Sequence, residues 1–83
     1  NYIQLQSVGK VQGIPAGNLV VGDKIMWNFG GTFIVKSIVP SKTGKTIQII
    51  EECTKTGNKY ERKLSVNKIV ATADRVTGKF HSA

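Results

Sequence analysis

Apolar and polar residues alternate with a period of two along most of this chain, in short runs punctuated by Gly, Pro, Asn and Asp. Tyr2–Val8 sets Ile3 and Leu5 against Gln4 and Gln6, the pattern of a half-buried strand. Gly9 and Gly13 loosen the next segment. Pro15-Ala16-Gly17-Asn18 reads as a turn, because Pro presets φ and Gly or Asn tolerates positive values. Lys24–Phe29 carries Ile25, Trp27 and Phe29 on one face and Lys24, Met26 and Asn28 on the other. Gly30-Gly31 then predicts a tight type I′ or II′ turn, where positive φ excludes most other residues. Thr32–Val39 comes next, apolar on both faces except at Lys36. A strand covered on both sides, or bent, reads that way.

The next strand, Thr46–Thr54, breaks its own alternation. Glu51 shares a face with Ile47 and Ile49, whereas Ile50 does not. A β-bulge near Ile49–Glu51 would restore the parity. Lys55–Asn58 is a turn, and Lys59–Leu64 alternates Tyr60, Arg62 and Leu64 with Lys59, Glu61 and Lys63. Ser65–Lys68 is too short for an α-helix and predicts one 3₁₀ turn. Ile69–Ala73 closes as the last strand. The expected fold class is therefore all-β: a small barrel of five or six strands with a 3₁₀ turn before the last. Residues 1–19 form an N-terminal strand and turn added to the barrel edge, residues 20–73 the barrel, and residues 74–83 a flexible tail.

Charge adds a second signal. Twelve Lys and Arg oppose five Asp and Glu across 83 residues, a formal net charge of +7. Such a field attracts polyanions: nucleic acid, acidic protein surfaces or anionic headgroups. The length fits one domain. No apolar run approaches the roughly 18 residues of a membrane-spanning helix, and no signal peptide is visible. The chain opens at Asn1 rather than Met, which suggests a processed or trimmed segment. The lone Cys53 forms no intramolecular disulfide, and with the single His81 it builds no cysteine-based zinc site. It is expected as a small core residue, and its reduced state fits a cytoplasmic setting.

The order of these features resembles an SH3-like barrel of the Tudor and KOW type. The residues that carry the resemblance are Gly22-Asp23 before the first barrel strand, the Gly30-Gly31 hairpin, the Phe33, Val35 and Ile38 pattern, and the Thr56-Gly57-Asn58 turn. It covers about 50 residues and leaves Asn1–Leu19 without a counterpart. It implies one of three tasks: binding RNA or an RNA-polymerase partner, holding a methylated side chain in an aromatic cage, or binding a Pro-rich peptide. Trp27, Phe29, Phe33 and Tyr60 would have to supply a cage, but few acids are present to complement a cation. Gly30-Gly31 is too short for the acidic loop of a peptide-binding SH3 domain.

The chemistry-bearing residues do not assemble an enzyme. Gly44-Lys45-Thr46 mimics the end of a phosphate-binding loop, yet Val39 stands where that loop needs its first Gly. His81 lies in the expected tail. Glu51 and Glu52 are adjacent in a strand and point to opposite faces, and Asp23 is a turn residue. No catalytic residue, metal site, cofactor or small-molecule substrate is expected. Two readings stand for Trp27, a core residue or a platform on which a base stacks. Two also stand for Tyr60 with Arg62: a pair that stacks a base and holds a phosphate, or a core residue with its rim. The lysines give the clearest functional expectation. Lys42, Lys45, Lys55 and Lys59 lie in or beside two loops expected to neighbour one another, with Lys36, Arg62 and Lys63 extending the patch. The expected function is nucleic-acid binding, RNA or DNA, through phosphate contacts. The alternative is a structural or interaction module that docks on a larger protein assembly.

Overall fold

The alternating segments become seven antiparallel strands in the computed structural model, which describes residues 1–82. Ala83, the last residue of the expected tail, lies outside the described residues. The strands are β1 (Tyr2–Leu5), β2 (Gly9–Pro15), β3 (Lys24–Met26), β4 (Thr32–Pro40), β5 (Thr46–Cys53), β6 (Lys59–Ser65) and β7 (Ile69–Thr72). They form one sheet in the order β1-β2-β7-β3-β4-β5-β6. The last strand is thus held between β2 and β3, and β1 and β6 are the free edges. The all-β class agrees with the pattern. The closed barrel of five or six strands does not: the sheet has seven strands and is not closed. Among the described residues no helix is long and apolar enough to cross a membrane.

The extra strand is β2, which Gly9 and Gly13 disguise. Gly13 pairs with Ala71, and a Cβ there would stand 2.5 Å from the Val70 carbonyl oxygen. Only glycine allows β7 to approach this closely. Inward residues of the central strands build the main core: Ile25, Phe33, Val35, Ile47, Ile49, Leu64 and Val70, closed by Ala16 and Leu19. Truncating a fully buried Ile such as Ile25 or Ile49 to Ala should cost about 2–5 kcal/mol. A smaller cluster of Leu5, Val11 and Ala71 fixes the β1–β2 hairpin to β7.

Local geometry departs from the sequence reading at two turns and one bulge. The β3–β4 loop is not a two-residue turn at Gly30-Gly31. Met26 already pairs with Thr32, the Gly30 N–H bonds to the Trp27 carbonyl at 2.8 Å, and the Trp27 N–H bonds to the Gly31 carbonyl at 3.2 Å. Gly30 alone of the two takes positive φ, +84°. A turn followed by one left-handed glycine is the usual three-residue hairpin loop. It lifts Phe29 out of the strand. The 3₁₀ turn lies at Ala16–Asn18, not at Ser65–Lys68, where a Lys68 N–H to Ser65 carbonyl bond of 3.1 Å closes a simple turn. The bulge sits on β4, between Val35 and Ser37, across from Glu51 and Ile50. β5 keeps strict alternation, with Ile47, Ile49 and Glu51 all buried.

Residues 74–82 of the expected flexible tail make polar contacts with one another and with the sheet. The Asp74 carboxylate accepts the Val76 and Thr77 N–H groups at 2.8 and 2.9 Å. Those bonds, the Thr77 amide first, hold its carboxyl below the ordinary value of 3.8. Arg75 Nε and a terminal guanidinium nitrogen reach the two Asp23 oxygens at 2.9 and 3.1 Å. Arg75 also donates to the Asn18 carbonyl at 3.0 Å. The Gln12 N–H bonds to the His81 carbonyl at 2.8 Å. A segment without apolar alternation carries no strand signal, so turn chemistry and one ion pair do this unannounced.

Candidate functional site

β6 is the strand on which most candidate residues meet. The Cys53 N–H bonds to the Asn58 carbonyl at 2.8 Å, and the Val66 N–H to the Lys45 carbonyl at 3.0 Å. Bonded positions alternate along an antiparallel ladder. Tyr60, Arg62 and Leu64 therefore turn their backbone groups toward β5, and Lys59, Glu61, Lys63 and Ser65 turn theirs to the free edge. On the inner face Tyr60, Arg62 and Leu64 stand opposite Glu51, Ile49 and Ile47. On the outer face Lys59, Glu61 and Lys63 stand opposite Glu52, Ile50 and Gln48. Charges along an open edge also oppose pairing with another sheet.

The inner face explains Glu51. Its side chain has no exposed surface, and a buried carboxylate must be paired and hydrogen-bonded. Oε1 accepts the Trp27 Nε1–H at 2.9 Å. Oε2 accepts from Arg62 Nε and a terminal nitrogen at 3.4 and 3.3 Å. The Arg62 guanidinium also lies over the Trp27 ring, 4.2 Å from its centroid. Trp27 packs against the core, and its stacking capacity is spent on Arg62.

Exposed aromatics lie beside this cluster. Phe29 is 68% exposed and Tyr60 48% exposed. Both meet the buried Phe33 edge-on, at centroid distances of 6.2 and 6.0 Å. A cavity of about 600 Å³ opens on the other side of Arg62, between β1 and β6, with Leu5, Trp27, Lys63 and Lys68 among its walls. A second, of about 570 Å³, is bounded by Phe29, Phe33, Cys53, Thr56 and Tyr60. Cys53 is half-buried, as the core reading requires in part. The Thr56 side chain, then the Thr56 and Lys55 backbone amides, pull its thiol below the ordinary value.

The two lysine-bearing loops do not neighbour one another. Lys42 and Lys45 lie in the turn before β5, and Lys55 and Lys59 lie in or beside the turn after it. Consecutive hairpin turns occupy opposite ends of the strand they share, here roughly 25 Å at about 3.3 Å per residue. The Val66–Lys45 bond brings the first turn against the 65–68 turn, which carries Lys68. β6 links the two groups, with Lys59, Arg62 and Lys63 between them. Lys36 stands at the β4 bulge and pairs with Glu52 at 3.8 Å. Of the acids, Asp23, Glu51 and Glu52 are thus each paired with a cation, and Glu61 is the only one on β6.

Sequence reasoning missed Lys68 and the buried Glu51 beneath this surface, and it set Phe29 on the strand face of Ile25 and Trp27 or in a cage rather than beside the lysines. Glu51 had a signal, its unbroken inward parity with Ile47 and Ile49. Phe29 had one in the glycines next to it. Among the described residues no three His, Cys, Asp or Glu side chains form a set able to hold a metal ion. No protein-family profile, curated protein or solved structure matches the chain.

Proposed function

We propose that this protein is a nucleic-acid-binding module that lays a single strand, RNA or DNA, along β6. The observation that carries this reading is the composition of that edge. Lys59 and Lys63 alternate on its outer face, Tyr60 and Arg62 on its inner face, and lysine turns lie at both ends. Phosphates would meet Lys55, Lys59, Lys63, Lys68 and Lys45, with Lys42 at the margin. Such contacts give affinity without sequence choice. Half-exposed aromatics favour a single strand, since only unpaired bases offer a free face. The five consecutive strands β3–β7, the short first hairpin and the brief β6–β7 turn support an SH3-like arrangement, to which the β1–β2 hairpin adds beside β7.

Fluorescence anisotropy with labelled oligothymidylate, oligouridylate and a mixed-sequence duplex tests the reading. Micromolar-range binding to the single strands, weakening with salt and weaker for the duplex, is expected. The double variant Lys59→Glu/Lys63→Glu should lose more than tenfold. Binding that ignores salt, or a double variant equal to the parent, contradicts it. A second reading, an interaction module for a larger protein assembly, is favoured by the two unpaired edges that face one cleft. Salt-resistant self-association in sedimentation would move that reading ahead.

A further inference from the structure

We infer that the cavity bounded by Phe29, Phe33 and Tyr60 receives one unpaired nucleobase. The inference rests on the nucleic-acid reading and adds to it a specific subsite. Exposed aromatic side chains grouped on one patch mark a binding surface more often than chance exposure does. Here two such rings stand edge-on to one buried ring, at 83° and 82° to its plane. The arrangement is two exposed rings over an aromatic floor. The Phe29 ring is seated rather than loose. It lies against the Gly31 Cα, where any Cβ would collide with it, and the left-handed Gly30 sets the turn that lifts it. A cavity of about 570 Å³ is within the usual range for a small planar ligand.

The polar groups around the cavity favour a base over a cation. An exposed aromatic patch beside a buried carboxylate would suit an ammonium group. That position is already filled by the chain itself. Glu51 spends Oε1 on Trp27 and Oε2 on Arg62, and Arg62 lies on the Trp27 face. What stays free at the rim is the Lys63 ammonium and the Glu61 carboxylate, since the Thr56 hydroxyl accepts the Asn58 N–H at 3.2 Å and bonds the Cys53 thiol. These are a donor and an acceptor suited to the edge of a base, with Lys55 in the adjoining turn and Lys59 at the start of β6 for the flanking phosphates. The net charge of +7 opposes a cationic ligand as well.

The test compares oligothymidylate with an abasic strand of equal length and charge. The parent protein should bind oligothymidylate about tenfold more tightly. The variant Phe29→Leu/Tyr60→Leu should lose that factor, keep its affinity for the abasic strand, and keep the parent's salt slope. An oligonucleotide carrying one 2-aminopurine gives a second readout, since stacking should quench its fluorescence on the parent but not on the variant. Equal affinity of the parent for both strands overturns the base subsite while the phosphate track stands. Failure to bind either strand overturns both. Saturable entry of tetramethylammonium at this cavity, seen as shifts of the Tyr60 and Phe29 ring resonances without matching shifts from oligothymidylate, assigns it to a cation and also overturns the inference.

Discussion

Two buried carboxylates in this small sheet meet two arginines, and they do different work. Asp23 sits beneath the turn before β3, with its side chain 2% exposed, and Arg75 grips both oxygens at 2.9 and 3.1 Å. The same arginine reaches the Asn18 carbonyl, so one side chain fastens the C-terminal segment to the start of the fold. Glu51 is buried in mid-sheet. Its contacts with Arg62 are longer, at 3.3 and 3.4 Å, and it shares its charge with the Trp27 indole. It joins neighbours within the sheet, the β3–β4 loop through Trp27 and β6 through Arg62, rather than a chain terminus. The pair lies between two cavities on the strand that carries the lysines. The shorter, bidentate contact is a latch, and the looser, stacked one is part of a surface. Half-exposed arginines gain little from Coulomb attraction alone. The stake in both cases is the carboxylate left behind.

That contrast can be broken from either side. Arg62→Met should give the largest loss of stability, about 3 kcal/mol, because it strands a fully buried charge. Each carboxylate keeps one N–H at 2.9 Å. Arg75 is the more exposed arginine, 54% against 40%, so its removal opens Asp23 to water, and Arg75→Met should cost less, about 2 kcal/mol. Urea denaturation of the two variants measures both. An Arg75 variant that loses more than the Arg62 variant would reverse the assignment of the buried burden. Amide exchange should separate them further. Arg75→Met should expose the amides of the 75–81 segment, and Arg62→Met should leave them protected.

Smaller effects sharpen the same picture. Gly30→Ala forces a side chain into φ of +84° and should cost about 1 kcal/mol. Gly31→Ala should cost less stability, because the Phe29 ring can swing into solvent, yet it should weaken oligothymidylate binding several-fold by unseating that ring. Glu61→Gln removes the one acid from β6 and should raise affinity for single strands a few-fold, most visibly at low salt. Unchanged binding would exclude Glu61 from the path of the phosphates. The Asp74 turn supplies a pH test. Its carboxyl is held below 3.8 in the folded chain. Its contribution is therefore complete above that ordinary value and fades as pH falls through the folded one. The Val76 and Thr77 amide resonances should move together across that acidic window. Movement only at higher pH would contradict the turn.

The strands are legible in the sequence because apolar alternation reports burial directly. The segments β4 to β7 begin and end within a residue or so of where the pattern puts them. Other features are encoded differently. β2 hides behind Gly13, whose use is closeness to Val70 rather than side-chain burial. The C-terminal segment is fastened by Asp74 and Arg75, which leave no periodic trace. Glu51 reads in the sequence as an error of parity needing a bulge, whereas it is an inward acid with partners distant along the chain. The barrel expected from the sequence places the lysine loops side by side at one end. The hairpin topology sends consecutive turns to opposite ends, so adjacency along the chain does not become adjacency in space. The surviving part of that reading is β6, which spans the gap.

The most direct test of the β6 track compares equal charge changes in the two regions. Lys59→Glu/Lys63→Glu alters the track, and Lys24→Glu/Lys79→Glu alters the latch, where Lys24 reaches the Gly78 carbonyl at 3.5 Å. Affinity for oligothymidylate is measured across a range of salt for the parent and both variants. Removing one lysine–phosphate interaction with a single strand should make the slope of log affinity against log salt shallower by about 0.7. The track variant should therefore be shallower by about 1.4, and the latch variant should keep the parent's slope. Equal flattening in both variants, or none in the track variant, would contradict a track on β6.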